Sequence, residues 1–197
     1  MKKTLFTTLA MTLLSGCFVF SIHPIYSVQD LVFEPRLLGA WKEKKDGPQK
    51  IDDNEDKKET QSTWLFNRAV STERVNGENK EVAYYNLNII EPDEDQSFHD
   101  VHMVKIGGEF FVNLRASDEV WEKVTEFCEQ NKIEVPLVIP VNFFLWLKLK
   151  EDEIRLLEID DVWLEKRLKA NPKEISHTFY ENEVLLTAAP SEVQKFI

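Results

Sequence analysis

The sequence predicts a mainly β domain with a few helices, an antiparallel meander that closes into a barrel, complete or partly open. Three observations predict it. Apolar and polar residues alternate along much of the chain, the pairs Asn76-Gly77 and Gly107-Gly108 join neighbouring runs as hairpins, and the length suffices to bury a core. Of 197 residues, 43% are hydrophobic and 30% charged, an ordinary globular composition. A meander of roughly nine strands leaves two bare edges unless it closes on itself, which is the reason to expect closure.

The elements follow in chain order. Residues 17–35 form a lead-in broken by Pro24 and Pro35, apolar enough to pack on the domain that occupies 36–197. Gly39 to Glu43 is a first strand, and residues 44–61 form a charged, solvated loop. Thr63 to Val70 and Glu81 to Ile90 flank Asn76-Gly77, with Ala83, Tyr85, Leu87 and Ile89 on a buried face against Asn86 and Asn88. Phe98 to Ile106 and Glu109 to Arg115 flank Gly107-Gly108. Pro136 to Lys150 is a long apolar strand that turns at Glu151-Asp152 into Glu153 to Ile159. Ser176 to Tyr180 and Glu183 to Ala188 meet at Glu181-Asn182.

Three helices interrupt the strands, near 117–131, 160–170 and 190–197. Ser117 caps the first, whose Val120, Trp121, Val124, Phe127 and Cys128 make one apolar stripe. Asp160 or Asp161 starts the second, and Pro172 lies beyond its end. Pro190 opens the third at its first helical position.

The formal charge of −11 excludes a binder of the phosphate backbone, so no nucleic-acid partner is expected. The leader explains more. Lys2 and Lys3 precede a short apolar run, Leu5 to Leu14, and then Leu14-Ser15-Gly16-Cys17. This resembles the lipobox of bacterial lipoproteins. The resemblance implies a signal peptide at 1–16, cleavage between Gly16 and Cys17, and a diacylglyceryl thioether on the Cys17 thiol, with further acylation of the new amine in many bacteria. Two or three acyl chains hold a protein durably on a membrane. Phe18, where an inner-membrane retention signal would have Asp, leans the localisation in the cell envelope towards the outer membrane. A plain secretory signal with an incidental Cys, and an uncleaved anchor running on through Phe18 to Ile22, are the other two readings. After processing, Cys128 is the remaining thiol; it has no disulfide partner and is expected to be buried.

Gly39-Ala40-Trp41 resembles the Gly-x-Trp signature of lipocalins, which implies a lipocalin-like barrel whose Trp41 plugs the closed end. The Thr-Asp-Tyr motif of that family is missing. The chain from Cys17 onward is also similar to small bacterial lipoproteins of unknown activity. It shares Pro24-Ile25-Tyr26, the start at Leu37 to Trp41, and a Leu-Thr-Ala strand before a short helix, Leu186 to Phe196.

Other motifs have plain readings. His99 and His102 lie three apart, on opposite faces of a strand, so they do not share a metal without a bulge. Asp93, Asp95 and Ser97 imitate a calcium loop, but Phe98 and Val104 stand where Gly and Glu belong. Cys128, between Glu126 and Glu129 on an apolar stripe, is a poor nucleophile. No hydrolase, zincin, P-loop or dinucleotide motif is present, and no catalytic residue, metal or cofactor is expected. Five Trp and thirteen Phe fill a core or line a cavity. The expectation is therefore a non-enzymatic envelope lipoprotein, anchored through Cys17, that binds a small apolar ligand; the alternative is an interaction module that docks on another envelope protein. The oligomeric state stays open.

Overall fold

The hairpin turns organise the centre of the molecule. In the computed structural model, which describes residues 19–43, 61–93, 95–130, 141–180 and 183–197, Asn76 and Gly77 have φ of 53° and 89°, and Gly107 and Gly108 have 59° and 94°. Two consecutive left-handed residues twist the chain in the sense that neighbouring strands need, and glycine tolerates them best. The first turn joins β4 (Thr63–Val75) to β5 (Glu78–Ile90), paired without a break from Thr63↔Ile90 to Val75↔Glu78. At about 3.3 Å per residue the ribbon is some 40 Å long. The second turn joins β6 (Gln96–Ile106) to β7 (Glu109–Ala116).

The flanking elements build outward from these hairpins. Before them come β1 (Phe20–Ser21), β2 (Leu31–Val32) and β3 (Gly39–Lys42). After them come β8 (Asn142–Leu149), β9 (Ile154–Leu157), β10 (His177–Tyr180) and β11 (Glu183–Leu186). The helices are α1 (Asp118–Gln130), α2 (Asp161–Ala170) and α3 (Pro190–Phe196). The charged loop expected at 44–61, the start of the strand expected at Pro136 and the turn at Glu181-Asn182 lie almost wholly outside the described residues.

The expected barrel, lipocalin-like or otherwise, does not form. The strands run β10-β11-β1-β8-β7-β6-β5-β4-β3, and among the described residues no ladder joins β10 to β3. Nor is the sheet a pure meander. β1 is inserted between β8, to which it is antiparallel, and β11, to which it is parallel. The physical reason lies in the central strands, which bury both faces: Val112 and Leu114 alternate with Phe111 and Asn113, all four buried. A free-standing up-and-down barrel has one packed interior and a wet exterior. A sheet that is apolar on both sides needs a cover on each.

On one face Phe66, Tyr85, Leu87, Val101, Met103 and Leu147 form a core beneath two 3-10 turns, Val28–Asp30 and Pro35–Leu37. The Tyr85 hydroxyl fastens this cover, accepting from the Glu34 amide at 2.6 Å and donating to its carbonyl at 3.1 Å. On the other face Val104, Phe111, Phe144, Leu164, Leu168 and Val193 pack together beneath α2 and α3. Both cores draw on the lead-in. Ile25 enters the helical side, and its amide donates to Asn113 Oδ1 at 3.2 Å; Leu37 enters the other. The outer half of the β4–β5 ribbon runs past the end of its pairing with β6, and β2 takes part of the vacated edge, Leu31↔Val104 and Val32↔Met103.

Trp41 does not plug a barrel end. It lies on β3, the last strand of the path, opposite Trp64, half-buried, and its indole donates to the Leu37 carbonyl at 3.0 Å. Its ladder and hydrogen-bond partners, β4 and Leu37, are early elements, and its ring packs against the core that Phe66, Tyr85 and Leu147 share. Gly39 makes no close approach; its role is its φ of 115°.

Candidate binding site

The register of four strands lines up one polar row across the helical face: Asn67 on β4, Asn86 on β5, Asp100 on β6 and Arg115 on β7. Asn86 donates to Asp100 Oδ1 at 3.0 Å, and the Arg115 guanidinium reaches Asp100 Oδ2 at 3.4 Å and Asp118 Oδ1, on the first turn of α1, at 3.3 Å. Asp100 is 6% exposed, and burial pushes its carboxyl up against the opposing pull of Arg115.

The next position on the same face of β6 is His102, whose imidazole stacks on Tyr84 at 4.9 Å and on Tyr26 at 4.8 Å between ring centroids. Burial, with the Arg115 charge as a lesser cause, lowers its pKa from 6.5 to about 4. The ring is therefore neutral at ordinary pH. Burial raises the Tyr26 phenol to about 12.

A groove of about 440 Å³ opens beside this row, walled by the β4–β6 face and the start of α1. Asn67, Asn86 and Asn88 line it with Tyr84, Phe98 and Ser117. Ser117 holds the start of α1 through its backbone carbonyl, which accepts from Val120 and Trp121 at 3.0 and 3.2 Å. Its hydroxyl, on a residue 8% exposed, has no partner, so the side-chain cap expected from the sequence is not made. Asn88 Oδ1 is likewise buried and unpaired, although its amide nitrogen donates to Gln96 at 3.0 Å. Unpaired buried polar atoms are uncommon in native proteins and each calls for a reason.

The sequence-derived sites fall as follows. Gly16 and Cys17, the cleavage and lipidation residues, lie outside the described residues. His99 and His102 are on opposite faces of β6, as alternation demands; His99 meets the ring of Phe143 edge-on, and burial lowers its pKa also. Among the described residues no group of three or more potential metal ligands comes together. Asp93 and Asp95 are exposed in the β5–β6 turn, where the Asp95 carbonyl accepts from Glu91. Cys128 is buried. Asp160 caps α2, with Oδ1 accepting from the Trp163 amide at 2.8 Å.

The groove itself was not foreseen. Its signal in the sequence is three asparagines at strand positions, Asn67, Asn86 and Asn88, where that residue type is disfavoured. No family model, no curated protein and no solved structure matches this chain.

Proposed function

We propose that the chain is a lipid-anchored protein of a bacterial cell envelope, held through lipid on Cys17, and that its β domain acts by binding and not by catalysis. The observation that carries this reading is Leu14-Ser15-Gly16-Cys17 behind a short leader with Lys2 and Lys3 at its start. The thiol at that position is the nucleophile that lipid attachment requires. The absence of Asp at Phe18 favours the outer membrane in a host that has one.

The fold adds a working geometry. Val19 is 4% exposed, and Phe20 already lies in β1 between β8 and β11. Two residues span at most about 7 Å. A lipid on Cys17 would therefore hold the domain close to the bilayer, with the start of β1 turned towards it, and not on a long leash. Binding is favoured over catalysis because the carboxylates of Asp100 and Asp118 are engaged by Arg115. The unpaired atoms of the groove, Asn88 Oδ1 and Ser117 Oγ, are hydrogen-bonding groups with no acid–base role at neutral pH. This lining suits a polar ligand better than the apolar one expected from the sequence.

The test is Cys17→Ala in a bacterial host supplied with radioactive palmitate. Labelling should vanish and unprocessed precursor accumulate. A variant that still labels and matures normally refutes the anchor.

A docking role is supported by a different observation. Trp163 and Phe179 are 47% and 38% exposed, on α2 and on β10, the last strand at its end of the path. Exposed aromatics beside an open strand edge suit a protein partner that adds a strand there. Crosslinking from position 163 in intact cells should then capture one envelope protein, and Trp163→Ser should release it.

A further inference from the structure

We infer that the groove between the β4–β5–β6 face and the first turn of α1 is a saccharide site, taking a neutral, polyhydroxylated ring. This rests on reading the domain as a binding module, and it does not depend on the anchor.

The argument starts from which groups are left to bind. A side-chain amide offers two donors and two lone pairs, and a hydroxyl offers one donor and two lone pairs. Asn67, Asn86 and Asn88 place three such amides on alternating positions of two paired strands, Asn67 directly opposite Asn86, although Asn86 and Asn88 already donate once each, to Asp100 and Gln96. Neighbouring hydroxyls on a sugar ring are each donor and acceptor at once, and they match this mixed character. Ser117 and Asn88 line the same groove with Oγ and Oδ1 buried and unpaired, so a ligand hydroxyl that displaced the groups covering them would satisfy atoms that now have no partner. Tyr84 and Phe98 supply apolar surface for the C–H face of the ring.

Charge argues against an anionic ligand. Arg115 is held by Asp100 and Asp118, and Lys123 is held by Glu119 at 2.6 Å, so the cations beside the groove are already engaged and an anion gains little. Asp100 and Asp118 share the one guanidinium, so the groove keeps an excess of one negative charge, and a polycation is the competing ligand that the experiment must test. The rigid strand scaffold keeps the amides at a fixed spacing, which lowers the ordering cost of binding.

The experiment uses the full-length processed protein in a zwitterionic, sugar-free detergent, titrated by calorimetry with cellobiose, maltose and N,N′-diacetylchitobiose, and with spermine as a cationic comparison. At least one saccharide should bind saturably, and spermine should not. Ser117→Ala should weaken that binding about tenfold, the worth of one hydrogen bond, without lowering the melting temperature, because the hydroxyl it removes is unpaired in the free protein. Asn67→Ala, at an exposed position, should do the same. Absence of binding for all three saccharides at about 10 mM, above the millimolar affinity of a weak site, overturns the proposal. So does spermine binding in their place, or a Ser117→Ala protein that binds as the parent does. Failure of the anchor would show instead as palmitate labelling that survives Cys17→Ala, with saccharide binding intact.

Discussion

Acid should destabilise this protein through His102, and the size of the effect can be worked out. The imidazole is stacked on Tyr26 and Tyr84, and its pKa falls from 6.5 to about 4 on folding, because burial and then Arg115 disfavour its charged form. Above pH 6.5 the ring is neutral in the folded and the unfolded chain, and the full stability is present. Between pH 6.5 and 4 the unfolded chain takes up a proton that the folded chain refuses, so stability falls as pH falls. Below about 4 both forms are protonated and the loss is complete. At about 1.4 kcal/mol per tenfold change in proton affinity, the loss is about 3 kcal/mol, a large part of a domain's 5–15 kcal/mol.

The measurement is urea denaturation from pH 4 to 8, in the parent and in His102→Phe, which keeps an aromatic ring in the stack but cannot ionise. Other groups titrate in the same range. His99 is also held below its ordinary value by burial, and Asp30 and Glu34 are held low by hydrogen bonds to Ser27 and Arg36. These remain in both proteins, so the difference between the two curves isolates position 102. The parent's excess stability should shrink by about 3 kcal/mol from pH 7 to 4. Two curves that stay parallel across that window would show that His102 is not held neutral by its surroundings, and the argument from burial would fail.

Further expectations concern the covers of the sheet. Tyr85→Phe keeps the ring stacked on Phe33 but strands the Glu34 amide, while the Glu34 carbonyl still accepts from the Leu37 amide, so it should cost about 1–3 kcal/mol in chemical denaturation; a neutral result would mean that water replaces the hydroxyl. Trp41→Ala should cost about 2 kcal/mol, less than the 3–5 of a fully buried ring, because Trp41 is half-buried on an end strand; a loss of 5 would restore it to a central core. Cys128 should react slowly with a thiol reagent in the native protein and completely in denaturant, and fast native labelling would place it on the surface.

Local elements were legible because short-range chemistry sets them. Asn76-Gly77 and Gly107-Gly108 specify hairpins through backbone conformations that glycine tolerates best, and Asp160 and Pro190 announce helix starts by satisfying or omitting amides that no turn precedes. The spacing of Val120, Trp121 and Val124 placed Cys128 on the inner side of α1. Alternation put His99 and His102 on opposite faces, which denied them a common metal. What misled was the inference from hairpin order to closure. The strand path runs from β10 to β3 without closing among the described residues, and a free-standing up-and-down barrel keeps one face wet, which does not suit the four consecutive buried positions Phe111 to Leu114. Such a run is equally compatible with a helix or a strand until its partners are known.

The sequence by itself determined the turns, most strands, the three helices and the motif on which the lipid anchor is proposed, since each is written within a few neighbouring residues. Only the tertiary structure decided that the sheet stays open and that the lead-in supplies β1, β2 and part of both cores. It also decided that Asn67, Asn86, Asp100 and Arg115 share one row. These depend on the register between strands far apart in the chain, where a slip of one residue turns every side chain to the other face. Nothing in the immediate neighbourhood of any one of these residues carries that information.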